Sequence, residues 1–375
     1  MKKTALKVLA LVMCALLTAT AFVGCGGNND ADTILIGATG PLSGDAASYG
    51  NSVQNGALIA IDEINAAGGL NGIKFAFKMV DDEASADKVT AAYDTLMAEG
   101  MVVSTGSVTS GACAQFAALS KEDNVFFMTP SASAEPCIAE SNAYRICFGD
   151  PDQGVLAAEE LVKAGYTNIG VIYASDDSYS SGIYEAFEAK MTELGKTFTM
   201  KSFTESTSSN FTQQVTDLKA QGCDVVFLPI YYQPAWLIIK EADTLGFDVD
   251  FFGCDGLDGI YAYSENSDLV KGVKYLTPFD VNSTDETVSA FVTAYKAKYN
   301  AEPDQFAADG YDAVMVIYKA MKEAGVDSAD ITASDLCDKI TAVLNGEFTF
   351  VGATGTITWA ETGAPTKSPI VITIG

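Results

Sequence analysis

Groups that could bind an anion are concentrated after two predicted strands in the first third of the sequence. The segment Gly106–Ser110 follows a predicted strand, Met101–Ser104, and precedes a helix that begins near Gly111, while Ser131 and Ser133 follow the next strand. Free N–H groups at a helix N-terminus, together with a serine hydroxyl, suit a carboxylate or another anion. The same serines could instead cap helices or form turns. The pattern by itself leaves both roles open.

A carboxylate that could pair with a cation follows a later predicted strand. Asp255 follows Phe251–Gly253 after one intervening residue, and Asp258 lies close to it in the sequence. The alternative role of Asp255 is to form a turn before Gly256.

Catalytic chemistry has little support in the sequence. The chain contains no histidine, which excludes Ser-His-Asp and Cys-His nucleophilic sites and histidine-based zinc sites. A glycosidase would need two carboxylates at a defined separation, for example Asp255 and Asp177. With 49 acidic residues, such pairs arise easily by chance. We therefore expect no enzyme activity, no catalytic residues, no cofactor and no metal.

Length, composition and charge restrict the class of protein. The 375 residues are enough for two α/β lobes. A net charge of −27 argues against binding to nucleic acid, since phosphates are bound through Lys and Arg. It also argues against adhesion of the body to anionic lipid. The chain is not predicted to be disordered, because 48% of its residues are hydrophobic and only 19% are charged.

The N-terminus has the pattern of a signal for export. Lys2 and Lys3 precede an apolar run from Ala5 to Val23. The end of this run, at Gly24-Cys25, resembles the cleavage site of bacterial lipoproteins, which implies a signal peptide over 1–24, a lipid on Cys25 and a flexible tether over 25–32. The predicted location is extracytoplasmic, on the bacterial cell membrane. The alternatives are a transmembrane anchor or an ordinary signal peptide.

Six cysteines remain beyond this segment, and none of them forms a C-x-x-C motif. A zinc ribbon or a redox motif is therefore not supported. Cys137 and Cys147 bracket a short loop that a disulfide could close, and the alternative is that most of the thiols are small buried hydrophobes. The six are Cys113, Cys137, Cys147, Cys223, Cys254 and Cys337.

From Thr33 onward, short β-branched runs alternate with amphipathic segments, which predicts parallel sheets covered by helices on both faces. In the first helix, apolar residues recur at the spacing of one buried face, and Gly68-Gly69 ends it. A second series of alternating strands and helices, with similar spacing, begins after Gly149–Asp152. The predicted strands are 34–37, 74–80, 101–104, 125–128, 169–173, 198–201, 225–229 and 251–253. The predicted helices are 51–67, 86–99, 113–122, 153–163, 179–194, 211–221 and 236–245.

The last quarter of the chain follows a different pattern. Two long helices are predicted over Thr284–Tyr299 and Ala307–Ala324, with no strand between them. Gly355–Trp359 and Ile370–Ile374 are predicted to pair as a β-hairpin. Neither piece has enough apolar surface to fold alone, so each should complete an earlier lobe.

The segment Ile34–Ala84 resembles, in its residues and their spacing, the N-terminal part of the branched-chain amino-acid binding proteins that serve ABC transporters. The resemblance extends in order over almost the whole mature chain. It continues through Gly106–Ser110, Thr129–Ser133, Asp176–Gly182, Pro229–Tyr232, Asp255-Gly256, Phe306–Ala308 and Gly355–Gly363.

This resemblance implies the type I periplasmic-binding-protein fold, an α/β architecture of two doubly wound lobes joined by three chain crossings. The crossings are expected near Gly149–Gln153, Tyr275–Phe279 and Phe350–Gly355. The N-lobe would then comprise 33–150 and 278–350, and the C-lobe 151–277 and 351–375. A ligand would lie in the cleft, at the carboxyl ends of the strands, and lobe closure would bury it.

The resemblance also implies a set of ligand-binding residues. Ser110 and Ser133 would hold a carboxylate, the Ser131 carbonyl would accept from an ammonium, and Asp255 would pair with that ammonium. Asp255 stands where the family often has Glu, and Ser131 where it commonly has Ala or Gly. Four aromatic residues would form the walls of the cleft, with Tyr232 and Phe279 as possible substitutes: Tyr49, Tyr179, Tyr231 and Phe306.

The function that follows is capture of a small amino acid, branched-chain or otherwise apolar, and its delivery to an ABC permease. The receptor is expected to be a monomer that contacts the membrane only through the Cys25 lipid. Two alternatives remain open: a ligand-sensing receptor of the same fold, and a binder of urea or short amides.

Overall fold

The computed structural model describes residues 32–367 and 369–375, so the predicted signal peptide, Cys25 and most of the tether lie outside the described residues. The helices are α1 (Ala47–Ala66), α2 (Ala86–Ala98), α3 (Ser110–Glu122), α4 (Asp150–Lys163), α5 (Ser178–Glu193), α6 (Thr212–Ala220), α7 (Tyr232–Thr244), α8 (Ile260–Tyr263), α9 (Glu286–Tyr299), α10 (Gln305–Glu323) and α11 (Ala333–Leu344). Short 3₁₀ turns lie at Glu135–Ile138, Glu205–Thr207, Asp255–Leu257 and Asp268–Val270.

The first sheet is entirely parallel and has the strand order β2-β1-β3-β4-β5. Its strands are β1 (Thr33–Gly40), β2 (Lys74–Asp81), β3 (Met101–Ser104), β4 (Phe127–Thr129) and β5 (Ala143–Arg145). Helices α10 and α11 pack on it, although they come from the last quarter of the chain, since Val314, Ile317 and Leu336 share one buried core with Ile34 and Ile36. Helix α9 packs against α1 instead, since Phe291 and Val292 share a core with Ile59.

The second sheet has the order β13-β10-β9-β8-β6-β7 and is parallel except for the pair β10–β13. Its strands are β6 (Ile169–Ala174), β7 (Thr199–Phe203), β8 (Val225–Leu228), β9 (Asp250–Gly253), β10 (Lys274–Thr277) and β13 (Ile370–Thr373). The reversal of strand order at β6 and β8 places the loops after them at the edge where parallel sheets bind ligands.

The predicted C-terminal hairpin is wrong in its strand pairing, although a tight turn does form at Glu361–Gly363, where Trp359 pairs with Pro365. Gly355–Ile357 forms β12 and pairs with β11 (Phe350–Gly352), whereas Ile370–Thr373 pairs with β10 at the edge of the second sheet. Phe350, Ile357 and Trp359 belong to the core of the first lobe. The chain therefore crosses to the second lobe after Trp359, and not near Phe350–Gly355. The hairpin prediction fails because β13 finds its partner almost a hundred residues earlier in the chain.

Helix α11 was not predicted from the sequence. Its buried residues Leu336, Ile340 and Leu344 recur at helical spacing, and the Thr332 hydroxyl caps it by accepting from the Asp335 N–H at 3.1 Å. That cap and spacing were available in the sequence. Helix α7 begins at Tyr232 rather than Trp236, because Pro234 is tolerated in a first turn.

Two glycines allow helices α1 and α10 to pack in close contact. A Cβ on Gly56 would lie 1.8 Å from the Ala307 carbonyl oxygen, and one on Gly310 would lie 2.4 Å from the Val53 oxygen. Side chains at these positions would force the backbones apart. The close approach sets Tyr49 on α1 against Phe306 on α10, with ring centroids 4.5 Å apart.

Two buried cations fix the segments that join the lobes. Arg145 donates to the Ser133 carbonyl at 2.7 Å and, through Nη2, to the Glu135 carboxylate at 3.0 Å. Lys367, on the third crossing, donates to the carbonyl of Ile146 at 3.1 Å and to Thr354 at 2.7 Å. Each cation satisfies buried backbone oxygens. Lys367 also connects the third crossing with Ile146, which lies just before the first crossing.

The six cysteines named above are all buried free thiols, including Cys137 and Cys147. The described residues contain no helix that is both long enough and apolar enough to cross a bilayer.

Replacing Trp359 tests the placement of residues 350–359 in the first lobe. Its ring is 8% exposed and its Nε1 donates to the Arg145 carbonyl at 2.8 Å. We expect Trp359→Ala to lower the free energy of unfolding by about 3–5 kcal/mol, measured by urea titration. The control is Val351→Ala on the neighbouring strand, where the side chain is 53% exposed. Equal costs for the two variants would contradict the placement.

Candidate functional site

A small cavity that is partly open to solvent lies between the two lobes. Seven of the eight predicted binding residues line it. The lining residues are Tyr49, Val108, Thr109, Ser110, Ser131 and Phe306 from the first lobe, and Tyr179, Tyr231, Asp255 and Gly256 from the second.

Ser110 is oriented to donate a hydrogen bond. It begins α3, and its Oγ accepts from the N–H groups of Ser133 and Ala134, both at 3.2 Å. With two donors on the oxygen, the hydroxyl proton is left for another acceptor. Ser110 therefore combines a free O–H with the N-terminal end of a helix, which is the arrangement that binds an anionic oxygen.

The other two predicted serines differ from Ser110. The Ser131 hydroxyl donates to the Val108 carbonyl at 2.7 Å, so this proton is already used within the protein. Ser133 is fully buried but does not line the cavity. Its carbonyl accepts from Arg145 and from the Asp150 N–H, so its backbone joins the site to the first chain crossing.

Asp255 brings a buried carboxylate to the opposite side of the cavity. Its Oδ1 accepts from the Tyr179 hydroxyl at 2.7 Å, and the residue is 2% exposed. Burial raises the pKa of this carboxyl to about 6, against the lowering effect of its hydrogen bonds. No lysine or arginine of the described chain lines the cavity. A ligand cation would therefore find an uncompensated carboxylate.

Tyr179 and Tyr231 form one wall of the cavity. Their rings stack with centroids 4.9 Å apart and an interplanar angle of 4°. The Tyr179 hydroxyl also accepts from the Gly256 N–H at 2.9 Å, which fixes the ring and the Asp255 loop together. Tyr49 and Phe306 line the cavity from the first lobe.

The hydroxyl of Tyr49 joins the two lobes. It donates to the Gly256 carbonyl at 2.6 Å and accepts from the Tyr232 N–H at 3.0 Å. Tyr232 in turn donates to the Asp45 carbonyl of the first lobe at 2.8 Å. These contacts identify the structure as closed. Only the ring of Tyr49 is free to face a ligand, and Tyr232 acts in closure rather than as a substitute wall.

Two glutamines that the sequence analysis does not identify hold the Asp255 backbone. Gln153 Oε1 accepts from the Asp255 N–H at 3.0 Å, and Gln305 Nε2 lies 3.5 Å from the Asp255 carbonyl. Gln153 comes from the first crossing and Gln305 from α10, so only the folded chain brings them together. Their sequence signal is weak, because a glutamine in the first turn of a helix is common.

Phe279, the other substitute that the sequence left open, does not line the cavity and packs against Phe291. In the part of the chain that the structure describes, no three Cys, Asp or Glu side chains are grouped so as to hold a metal ion.

Removal of the Tyr49 hydroxyl tests its role in closure. Tyr49→Phe keeps the ring but leaves the Gly256 carbonyl and the Tyr232 N–H without this partner. At about 0.5–1.5 kcal/mol for each bond, we expect the closure constant, which is the ratio of closed to open protein, to fall by about tenfold. Small-angle X-ray scattering of the ligand-free protein measures this as a larger radius of gyration. Tyr263→Phe, at a ring that is 40% exposed, is the control and should not change it.

Comparison with known proteins identifies the family of this chain. The sequence profile of the periplasmic binding protein family matches residues 33–373. The chain is 28% identical over 332 residues to the Leu/Ile/Val-binding protein BraC3 of Rhizobium johnstonii, covering 88% of each chain. It is 27% identical over 299 residues to the leucine-, isoleucine-, valine-, threonine- and alanine-binding protein of Pseudomonas aeruginosa, covering 79% of each.

Solved structures show the same architecture. The leucine binding protein LivK of Thermotoga maritima superposes with a TM-score of 0.82 at 26% identity, covering 91% of this chain and 95% of that one. A solute binding protein of R. palustris in complex with benzoate also gives 0.82, at 20% identity, covering 92% and 93%, which shows likeness of fold alone. The chain therefore belongs to the periplasmic binding protein family and has its type I fold of two α/β lobes.

Proposed function

We propose that this protein is an extracytoplasmic receptor that captures a free α-amino acid with an apolar side chain, branched-chain above all, and delivers it to an ABC permease. The observation that carries the proposal is the placement of Asp255 and Ser110 on opposite lobes of one small cavity. The relatives named for leucine, isoleucine and valine support the same ligand class.

In this proposal Asp255 binds the ligand ammonium. A buried carboxylate without a cation is costly, and an ammonium beside it restores the balance of charge. Tyr179 holds the carboxylate in place through the 2.7 Å hydrogen bond, so little ordering is needed when the ligand arrives. The Ser131 carbonyl is proposed as a further acceptor for the same group.

The ligand carboxylate would lie at Ser110. The free hydroxyl proton and the N-terminus of α3 supply donors there without any charged side chain. Neutral donors suffice for a carboxylate whose own ammonium is balanced by Asp255. The ligand side chain would lie among the rings of Tyr49, Tyr231 and Phe306.

Other ligand classes fit the charges less well. An aromatic acid such as benzoate would bring an anion to a cavity that contains Asp255 and, among the described residues, no lysine or arginine. Urea or a short amide would leave the Asp255 carboxylate without a cation. A ligand-sensing role is distinguished from transport only by the partner that recognises the closed form.

The remaining features of the proposal rest on the sequence. The Gly24-Cys25 junction supports cleavage of the signal peptide and attachment of lipid to Cys25, which would anchor a monomer to the cell membrane. The receptor acts by binding and closure, with no chemical conversion of its ligand.

Replacing Asp255 tests the ammonium site. We expect Asp255→Ala to weaken binding of L-leucine at least about thirtyfold in calorimetry, because truncating one partner of a buried charge pair costs about 2–5 kcal/mol. Asp248→Ala, at an exposed carboxylate of the same lobe, is the control.

A thermal-shift panel of amino acids, benzoate, urea and acetamide tests the ligand class before any variant is made. Stabilisation by benzoate or urea alone would contradict the proposed function.

The pair Ser110→Ala and Ser133→Ala tests the carboxylate site. Loss of the Ser110 hydroxyl should weaken L-leucine binding by about ten- to a hundredfold, since a hydrogen bond to a charged group contributes about 1.5–3 kcal/mol. Ser133 lies outside the cavity lining, so Ser133→Ala should change the dissociation constant less than threefold. A larger loss in Ser133→Ala than in Ser110→Ala would show that the carboxylate is bound elsewhere.

A further inference from the structure

A second contact between the lobes lies beside the ligand cavity and is made by carboxylates. Asp258 follows the Asp255–Leu257 turn of the second lobe, and its Oδ2 accepts from the Gln305 N–H at 2.8 Å. Gln305 is the first residue of α10, which belongs to the first lobe. An aspartate of one lobe therefore caps a helix of the other, and this bond exists only when the lobes are closed.

The same end of α10 already has an N-cap residue of its own. Asp304 Oδ1 accepts from the Ala307 N–H at 2.9 Å, and Oδ2 accepts from the Ser52 hydroxyl at 2.6 Å. Closure thus brings Asp258 to the helix end where Asp304 is held. Two half-buried carboxylates therefore lie at the same helix end, where their like charges oppose each other.

Asp258 Oδ1 accepts from the Gly259 N–H at 2.9 Å and from the Tyr275 hydroxyl at 3.1 Å, but no cation of the described residues lies beside the pair. The titratable groups that face it are Asp255 on the same loop as Asp258, Tyr275 on β10, Tyr232 on α7 and Tyr295 on α9, all of them acids. Among the described residues, neither Asp258 nor Asp304 has an ion-pair partner within 4.0 Å. The partial positive charge of the α10 N-terminus amounts to roughly half an elementary charge and suffices for one carboxylate.

We propose that Asp258 and Asp304 form a proton-dependent latch of the closed receptor: the pair takes up one proton when the lobes close and releases it when they separate. The two residues are positioning residues for closure and do not touch the ligand. The inference does not depend on which ligand is bound.

The direction of the pH dependence follows from the closed state. Burial, followed by the charge of Asp258, raises the pKa of Asp304 from its ordinary value of 3.8 to about 7, and burial raises the pKa of Asp258 as well. In the open state the separated, hydrated carboxyls have ordinary values. Closure therefore takes up a proton below about pH 7, and the closed form gains as the pH falls from 7 toward 4. Above pH 7 the effect levels off.

The test measures the closed fraction of the ligand-free protein by small-angle X-ray scattering at pH 5, 6, 7 and 8. Between pH 6 and 7 we expect the closure constant of the wild type to fall about fivefold, as one proton is released near pH 7. Asp304→Asn and Asp258→Asn should each abolish most of this change, because either substitution removes one of the two opposed charges. The double variant should differ little from either single variant, which identifies the pair as the titrating unit.

Asp248→Asn, at an exposed carboxylate of the second lobe, serves as the control and should leave the change between pH 6 and 7 in place. Asp255, whose own pKa is raised to about 6, contributes to the profile of every variant alike, mainly at lower pH. Thermal unfolding of each variant verifies folding. A wild-type closure constant that does not change with pH, or single Asn variants that follow the wild-type profile, would overturn the latch. Failure of L-leucine to bind would contradict the proposed function only.

Discussion

The burial of the Asp255 carboxylate is the constraint on which the cleft depends. A charge removed from water must be balanced, and in the closed structure Asp255 has a tyrosine hydroxyl but no cation from the described chain beside it. Burial of this carboxylate raises its pKa for the same reason, because the charged form has lost its water. Closed lobes without a ligand are therefore electrostatically incomplete, and a ligand ammonium would complete them. This links recognition to closure without any need for a separate trigger.

The neighbouring groups are arranged around that constraint. The backbone of Asp255 is held by Gln153 from one crossing and Gln305 from α10, while the Tyr179 hydroxyl bridges its carboxylate and the Gly256 N–H. The Tyr49 hydroxyl then fastens the same loop to the first lobe. The loop after β9 is thus the place where ligand binding, lobe contact and the carboxylate pair of Asp258 and Asp304 meet. A small displacement of this loop would affect all three.

Local patterns in the sequence were sufficient for most of the elements. The alternation of β-branched runs with amphipathic segments predicted two parallel sheets. The two long helices were also predicted, and they are seen as α10 in the core of the first sheet and α9 against α1. The strand β13 is different. A short alternating run such as Ile370–Thr373 fits the edge of any sheet, and its pairing with β10 is a long-range contact that no local pattern encodes. The hairpin prediction failed for that reason.

What the sequence determined by itself was the kind of group available at each strand end: serines after β3 and β4, tyrosines after β6 and β8, and an aspartate after β9. Seven of the eight residues predicted from resemblance line one cavity. Only the tertiary structure decided how each polar atom is used. The Ser110 proton is free because two backbone N–H groups occupy its oxygen, whereas those of Ser131 and Tyr49 are already bonded. Hydrogen bonds join residues far apart in the chain, so their allocation is fixed by the packing of the lobes.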